Sequence, residues 1–243
     1  MKTASDTLFA QQQTSIADFV FDEKVARVFT DMIKRSVPGY STLLTGIASI
    51  SHQYARPETN CYDLGCSTGA STLAIGSAVA NTGCHILAID NSPAMIQRCR
   101  EHMRQTELQL SIDIICADLL DIRIENASVT VMNLTLQFIP LEKRQQCIDL
   151  IYNGLRPGGI LILSEKIDFD HPQEAEWQQS VHHHFKKMQG YSALEISQKR
   201  TALEKVLIPE TLEIHHQRLT KAGFQFCTTW FQCFNFISMI AVK

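Results

Sequence analysis

The sequence predicts an α/β fold: a Rossmann-like, mostly parallel sheet of seven strands, with a helical insertion and an antiparallel hairpin at the C-terminus. Three observations predict it. Short apolar runs alternate with helical stretches from Asn60 to Lys166, a loop of small residues follows the first run directly, and Gly223–Lys243 is rich in aromatic and β-branched residues.

Bulk properties set the frame. At 243 residues and 27.4 kDa, with 45% apolar residues, the chain suits a single domain over 1–243, comprising an N-terminal helical cap over 1–58 and an insertion over 168–221. The net charge of -3 and pI near 6.3 argue against direct contact with nucleic acid, which calls for a basic excess. The eight cysteines form no CxxC pair and mostly sit in apolar runs, so they read as reduced core residues. Met1–Ser15 is polar, and no apolar run reaches membrane-spanning length; a cytoplasmic protein with no membrane contact is expected.

From Phe19 to Ser36 apolar residues recur at helical spacing until Val37-Pro38-Gly39 stops the pattern, and Tyr40 lies just beyond. A second helix follows over Ser41–Tyr54. Strands are expected at Asn60–Leu64, His85–Ile89, Ile112–Cys116, Ser128–Leu134 and Ile160–Lys166, with helices near Ser71–Val79, Pro93–Gln105 and Glu142–Gly154 between them. Arg156-Pro157-Gly158-Gly159 marks a helix stop and a turn into a buried central strand. Asp168–Lys221 is polar and helical, broken at Gly190, and reads as a cap over the C-terminal sheet edge. Gly223–Lys243 reads as two antiparallel strands turning near Trp230–Gln232.

The chemistry gathers at the strand ends. Tyr62-Asp63-Leu64-Gly65-Cys66-Ser67-Thr68-Gly69 is a strand that ends in small residues and opens into a helix, which lets a ligand approach the backbone. About 20 residues on, the second strand ends in Asp90-Asn91, placing a carboxylate for ribose hydroxyls and an amide for the base. Asp118 and Leu119 follow the third strand and offer a carboxylate and a backbone amide to adenine; Asn133 ends the fourth. Four segments thus converge at the edge where open α/β sheets bind ligands. Each acid could instead merely cap a helix. The ligand this pattern fits is S-adenosyl-L-methionine; a nicotinamide dinucleotide is the alternative, disfavoured because the loop lacks GxGxxG.

Other features carry less. His182-His183-His184 lack partners at metal-ligand spacing and read as helix surface or packing residues, so no metal is expected. Lys186, Lys187, Lys199, Arg200 and Lys205 read as a solvated face.

Taken together, Arg35-Ser36-Val37-Pro38-Gly39-Tyr40, the Gly65-Cys66-Ser67 loop, Ala88-Ile89-Asp90-Asn91-Ser92-Pro93-Ala94-Met95 and Ile196-Ser197-Gln198-Lys199-Arg200 resemble the carboxy-S-adenosyl-L-methionine synthase family, within the methyltransferase fold. The match runs from about Phe21 to the C-terminus. The resemblance implies conversion of S-adenosyl-L-methionine to its carboxylated form, with prephenate as carboxyl donor and phenylpyruvate as product, through a sulfonium ylide that captures carbon dioxide. It implies a functional link to an enzyme that modifies a tRNA wobble uridine to its oxyacetic acid form. It also implies that Tyr40 lines the methionine end, Asn133 sits near the sulfonium, and Arg200 clamps the new carboxylate, a planar guanidinium being matched to that group. The cofactor contacts are then Tyr40, Gly65, Cys66, Ser67, Asp90, Asn91, Asp118, Leu119, Asn133 and Arg200, with Tyr40 and Arg200 serving the reaction. The chain leaves open whether Arg200 serves its own site or a neighbouring subunit's. The apolar hairpin and helical insertion suit a homodimer. A methyltransferase acting on a small acidic molecule, and a non-catalytic cofactor sensor, are the competing readings.

Overall fold

In a computed structural model of the chain, the described residues are 4–107 and 111–243. Residues 1–3 of the polar N-terminus lie outside them. The N-terminal helices are α1 (Glu23–Ser36), capped by Asp22, whose carboxylate accepts from Val25 N–H at 2.9 Å, and α2 (Tyr40–Tyr54). The alternating series follows as β1 (Asn60–Leu64), α3 (Ala70–Val79), β2 (His85–Asp90), α4 (Pro93–Arg104), β3 (Ile112–Cys116), β4 (Ala127–Asn133), α5 (Leu141–Gly154) and β5 (Leu155–Asp168). Then come α6 (Pro172–Met188), α7 (Ala193–Leu203), the two-residue β6 (Glu210–Thr211), α8 (Leu212–Ala222), β7 (Phe226–Cys233) and β8 (Phe236–Val242).

The main sheet runs β3-β2-β1-β4-β5-β8-β7, parallel through β5 and antiparallel at β8 and β7, with β6 paired to the end of β5. Successive strand residues face opposite sides, and both sides are apolar because both are covered. Val129, Val131, Ile160 and Ile162 meet Leu43, Ile47 and Ile75 of α2 and α3. Met132, Leu161 and Leu163 meet Ile148, Ile151 and Leu219 of α5 and α8. The strand order reverses between β1 and β4, which opens a crevice at the C-terminal sheet edge.

Two expectations are corrected. The hairpin turns at Phe234-Asn235, not at Trp230–Gln232; the strand continues through Trp230 with a register shift between Thr229 and Phe231. Within 168–221, α8 is no part of a cap over the edge. It packs on α5 in the helical layer, its buried Leu219 inside the main core, and α6 and α7 carry the residues that reach the cavity. No helix among the described residues is long and apolar enough to cross a membrane.

Candidate functional site

A cavity of about 380 Å³ lies at the crevice and extends from the tip of β2 to β5. That size falls within the range of small-molecule sites. The loop after β1 forms its floor. Gly65 N–H and Cys66 N–H both donate to Ile89 O, at 2.8 and 2.9 Å, so the loop is tied to β2. Gly65 has φ +81°, and a Cβ there would strike the side chain of Thr135, which also lines the cavity. Only glycine leaves this approach open. Ser67 is likewise left-handed, at φ +50°.

Asp90 organises the next wall. Its Oδ2 accepts from Ser67 N–H at 2.9 Å and its Oδ1 from Ser92 N–H at 2.8 Å, while burial raises its pKa against these two bonds. Each oxygen keeps a lone pair for a ligand hydroxyl. Asp90 is therefore no helix cap: Ser92 caps α4, its Oγ accepting from Met95 N–H and donating to Phe21 O at 2.6 Å. Asp118 turns back on Leu120 N–H at 2.9 Å and no helix follows it. Asp118 and Asn91 are exposed at the mouth, with Leu119 beside them on the lining.

On the far side of β1, Asn133 ends β4. Its Nδ2 donates to Ser71 Oγ at 2.9 Å, but its buried Oδ1 has no partner among the described residues. A buried amide oxygen left without a donor fits a ligand group there. Tyr40 opens α2 and is buried in the same wall, its phenol pushed above the usual tyrosine range by burial, then by Asp63. Asp63 itself does not line the cavity; it accepts from Thr72 Oγ1 at 2.6 Å, and burial raises it to about 7.

Tyr40, Gly65, Cys66, Ser67, Asp90, Asn91, Asp118, Leu119 and Asn133 are thus brought to one cavity. Arg200 is not. On α7 the face carrying Ile196, Lys199 and Ala202 is buried, and Arg200 falls on the opposite face with Ser197, Thr201 and Glu204, exposed and outside the lining. Of the two places the sequence leaves open for Arg200, its own chain's cavity and a neighbouring subunit's, the single chain does not fill the first.

What the sequence reading missed is a cationic wall. Lys166 of β5, Lys186 of α6 and Lys199 of α7 all line the cavity, although the last two read as a solvated face. Lys199 Nζ donates to Ser36 Oγ at 2.9 Å and pairs with Asp6 at 3.4 Å. His182, on the same wall, bonds Ser36 O at 2.8 Å and meets the Phe236 ring edge-on. Its two neighbours do not join it in a metal cluster, none being found among the described residues.

Known proteins resemble this chain at two levels, fold and sequence. A methyltransferase-domain family model matches residues 62–159. Human N-acetylserotonin methyltransferase, solved in complex with SAM, superposes on 91% of this chain and 55% of its own with a TM-score of 0.63 at 18% identity. A putative S-adenosyl-L-methionine-dependent methyltransferase from Methanococcus maripaludis covers 95% of this chain and 97% of its own, with a TM-score of 0.62 at 19% identity. The fold is thus the one these S-adenosyl-L-methionine-dependent methyltransferases share, and the stretch from Tyr62 to Gly159 matches the methyltransferase domain.

Curated relatives narrow the class. The carboxy-S-adenosyl-L-methionine synthases of Trichlorobacter lovleyi and Geobacter metallireducens are each 52% identical over 244 residues, and that of Shewanella sediminis is 50% identical over 243, covering 100% of both chains in every case. The chain belongs to the carboxy-S-adenosyl-L-methionine synthase family.

Proposed function

We propose that this chain converts S-adenosyl-L-methionine to carboxy-S-adenosyl-L-methionine, with prephenate giving the carboxyl group and phenylpyruvate leaving. The product then supplies an enzyme that builds the oxyacetic acid group of a tRNA wobble uridine. One observation carries the reading beyond family membership: a single cavity joins acid and amide groups suited to an adenosyl ligand to a cationic wall suited to an acid.

At the first end, Asp90 takes the ribose hydroxyls, with Asn91, Asp118 and the Leu119 amide around adenine. Gly65, Cys66 and Ser67 let the ligand lie against the backbone, and Tyr40 lines its methionine portion. Asn133, its Nδ2 fixed by Ser71, directs a free amide oxygen toward the polarised hydrogens of the sulfonium methyl. The lining acids, Asp90 and Asp118, are engaged at the adenosyl end, so neither serves as base at the methyl group. The donor supplies that role: as prephenate loses carbon dioxide, its hydroxyl leaves with the methyl proton as water. The methyl carbon's electron pair then captures the carbon dioxide. Arg200, exposed but close enough to lower the pKa of Lys166 and Lys186 by repulsion, adds positive potential on the outer side of that wall.

Exposed Trp177, Met188 and Leu194 on α6 and α7 support a homodimer, which light scattering of the purified protein tests. The reaction is tested by incubating the protein with S-adenosyl-L-methionine and prephenate and analysing the products by mass spectrometry. Carboxylated cofactor and phenylpyruvate are expected in equal amounts. The cationic wall would also hold an acidic methyl acceptor, so S-adenosylhomocysteine formed with such an acceptor, and no carboxylated product, would overturn the proposal.

A further inference from the structure

The cationic wall carries more charge than the structure balances. Among the described residues, neither the Lys166 nor the Lys186 ammonium group makes a hydrogen bond or an ion pair, whereas neighbouring Lys199 is held by Asp6 and Ser36. The lining acids, Asp90 and Asp118, stand on and beyond β2 and β3, and β5 is three strands from β2. At roughly 4.8 Å per strand that is about 14 Å, too far to neutralise Lys166, and no acid is among the charges that act on Lys186. Asp168, the one acid that raises the pKa of Lys166, is exposed at the end of β5. Burial first, then repulsion from Lys166, Lys199 and Arg200, holds Lys186 down to about 7. Two partly buried like charges without a counter-ion cost stability, so their place on the cavity wall needs a ligand to account for it.

Resting on the function proposed above, we infer that Lys166 and Lys186 receive the carboxylate that the donor keeps, the one beside its oxo group. Chemistry selects that carboxylate over the one that is lost. Loss of carbon dioxide draws the electron pair off a carboxylate, and a cation bonded to that group would hold the pair in place and slow the step. The group that departs therefore belongs toward Asn133 at the tip of β4, on the adenosyl side of the lysines. The group that stays belongs against the lysines, which anchor the donor by a point away from the reacting carbon.

Phenylpyruvate is the probe, since it keeps the retained carboxylate and lacks the other. Its binding to the full-length protein loaded with S-adenosylhomocysteine is measured by calorimetry for the native chain, Lys166→Met, Lys186→Met and Lys186→Arg. Each methionine variant is expected to bind phenylpyruvate about tenfold to a hundredfold more weakly, and the arginine variant to recover part of that loss. Affinity for S-adenosylhomocysteine should stay the same, which also reports that the variants fold. Unchanged phenylpyruvate affinity in both methionine variants overturns the inference, as does weakened S-adenosylhomocysteine binding, which would assign the lysines to the cofactor's own carboxylate. If the native chain makes carboxylated product while these variants bind the probe normally, only the lysine assignment fails. If the native chain makes none yet loses the probe with the lysines, the proposed reaction fails and the wall stands as a site for oxo acids.

Discussion

Replacing Asp90 by asparagine tests the adenosyl site at the level of single atoms. The carboxylate accepts Ser67 N–H and Ser92 N–H at 2.9 and 2.8 Å, one on each oxygen, and turns its remaining lone pairs to the cavity. In Asp90→Asn one oxygen becomes an NH2 group, so one of these two amides faces a donor and one ribose hydroxyl loses its acceptor. A hydrogen bond to a charged group contributes about 1.5–3 kcal/mol. Losing the ribose contact together with some order in the Ser67 loop gives about 2–3 kcal/mol in binding, or roughly a thirtyfold to 150-fold rise in Kd. The lost internal bond costs a further 1–3 kcal/mol or so of stability, about 2–6 °C in Tm for a chain of this size. Calorimetric titration with S-adenosylhomocysteine reads the first effect and a thermal scan the second. A Kd within about threefold of the native value would refute the placement of Asp90 at the ribose.

Gly65→Ala puts a Cβ into Thr135 at a residue with φ +81°, so cofactor affinity should fall by at least about tenfold; pairing it with Thr135→Gly removes the clash but not the strain, and only partial recovery is expected. Buried Arg144 donates to Ile139 O, Gln137 O and Ile208 O and pairs with Glu210, so Arg144→Leu should cost about 3–5 kcal/mol in denaturant unfolding and loosen the turn that carries Gln137 and Phe138. Burial pushes His182 down to about 2 and His215 down to about 4, so below pH 6.5 or so the unfolded chain binds protons that the native chain refuses. The stability these two histidines confer is then lost as pH falls below about 6.5, by up to about 1.4 kcal/mol per pH unit each, while Asp63 and Glu165, raised by burial to about 7 and about 8, act with the opposite sign over the same range. His182→Gln should change the slope of the urea midpoint against pH by that one histidine's share, and an unchanged slope would discount the burial. Arg200→Ala should lower carboxylated product while leaving S-adenosylhomocysteine affinity intact, as read by mass spectrometry and calorimetry, and unimpaired product formation would remove Arg200 from the reaction.

Much of the fold was legible because the strands that build it advertise themselves. Val129, Val131, Ile160 and Ile162 are apolar runs ended by small or polar residues, and the Gly65 loop and Asp90 sit at fixed offsets from them. The hairpin turn was not legible: Phe234 takes φ +52° without glycine, inside a run of aromatics that gives no turn signal. The lysine wall escaped for another reason. Lys186 and Lys199 occupy helices whose composition is polar, and what acts on them comes from distant segments: Ser36 and Asp6 hold Lys199, and Lys166 of β5 stands close enough to repel Lys186. Arg200 shows a different limit, since a motif match carries no information about which face of α7 is turned toward its own chain's cavity.

The most direct test of the central claim is the fate of a heavy-carbon label placed in the carboxylate that prephenate loses. Transfer within one cavity predicts that the label appears in the cofactor's new carboxyl group, undiluted by unlabelled carbon dioxide in solution, while phenylpyruvate carries none. A cofactor recovered without label, alongside phenylpyruvate released at the normal rate, would contradict it.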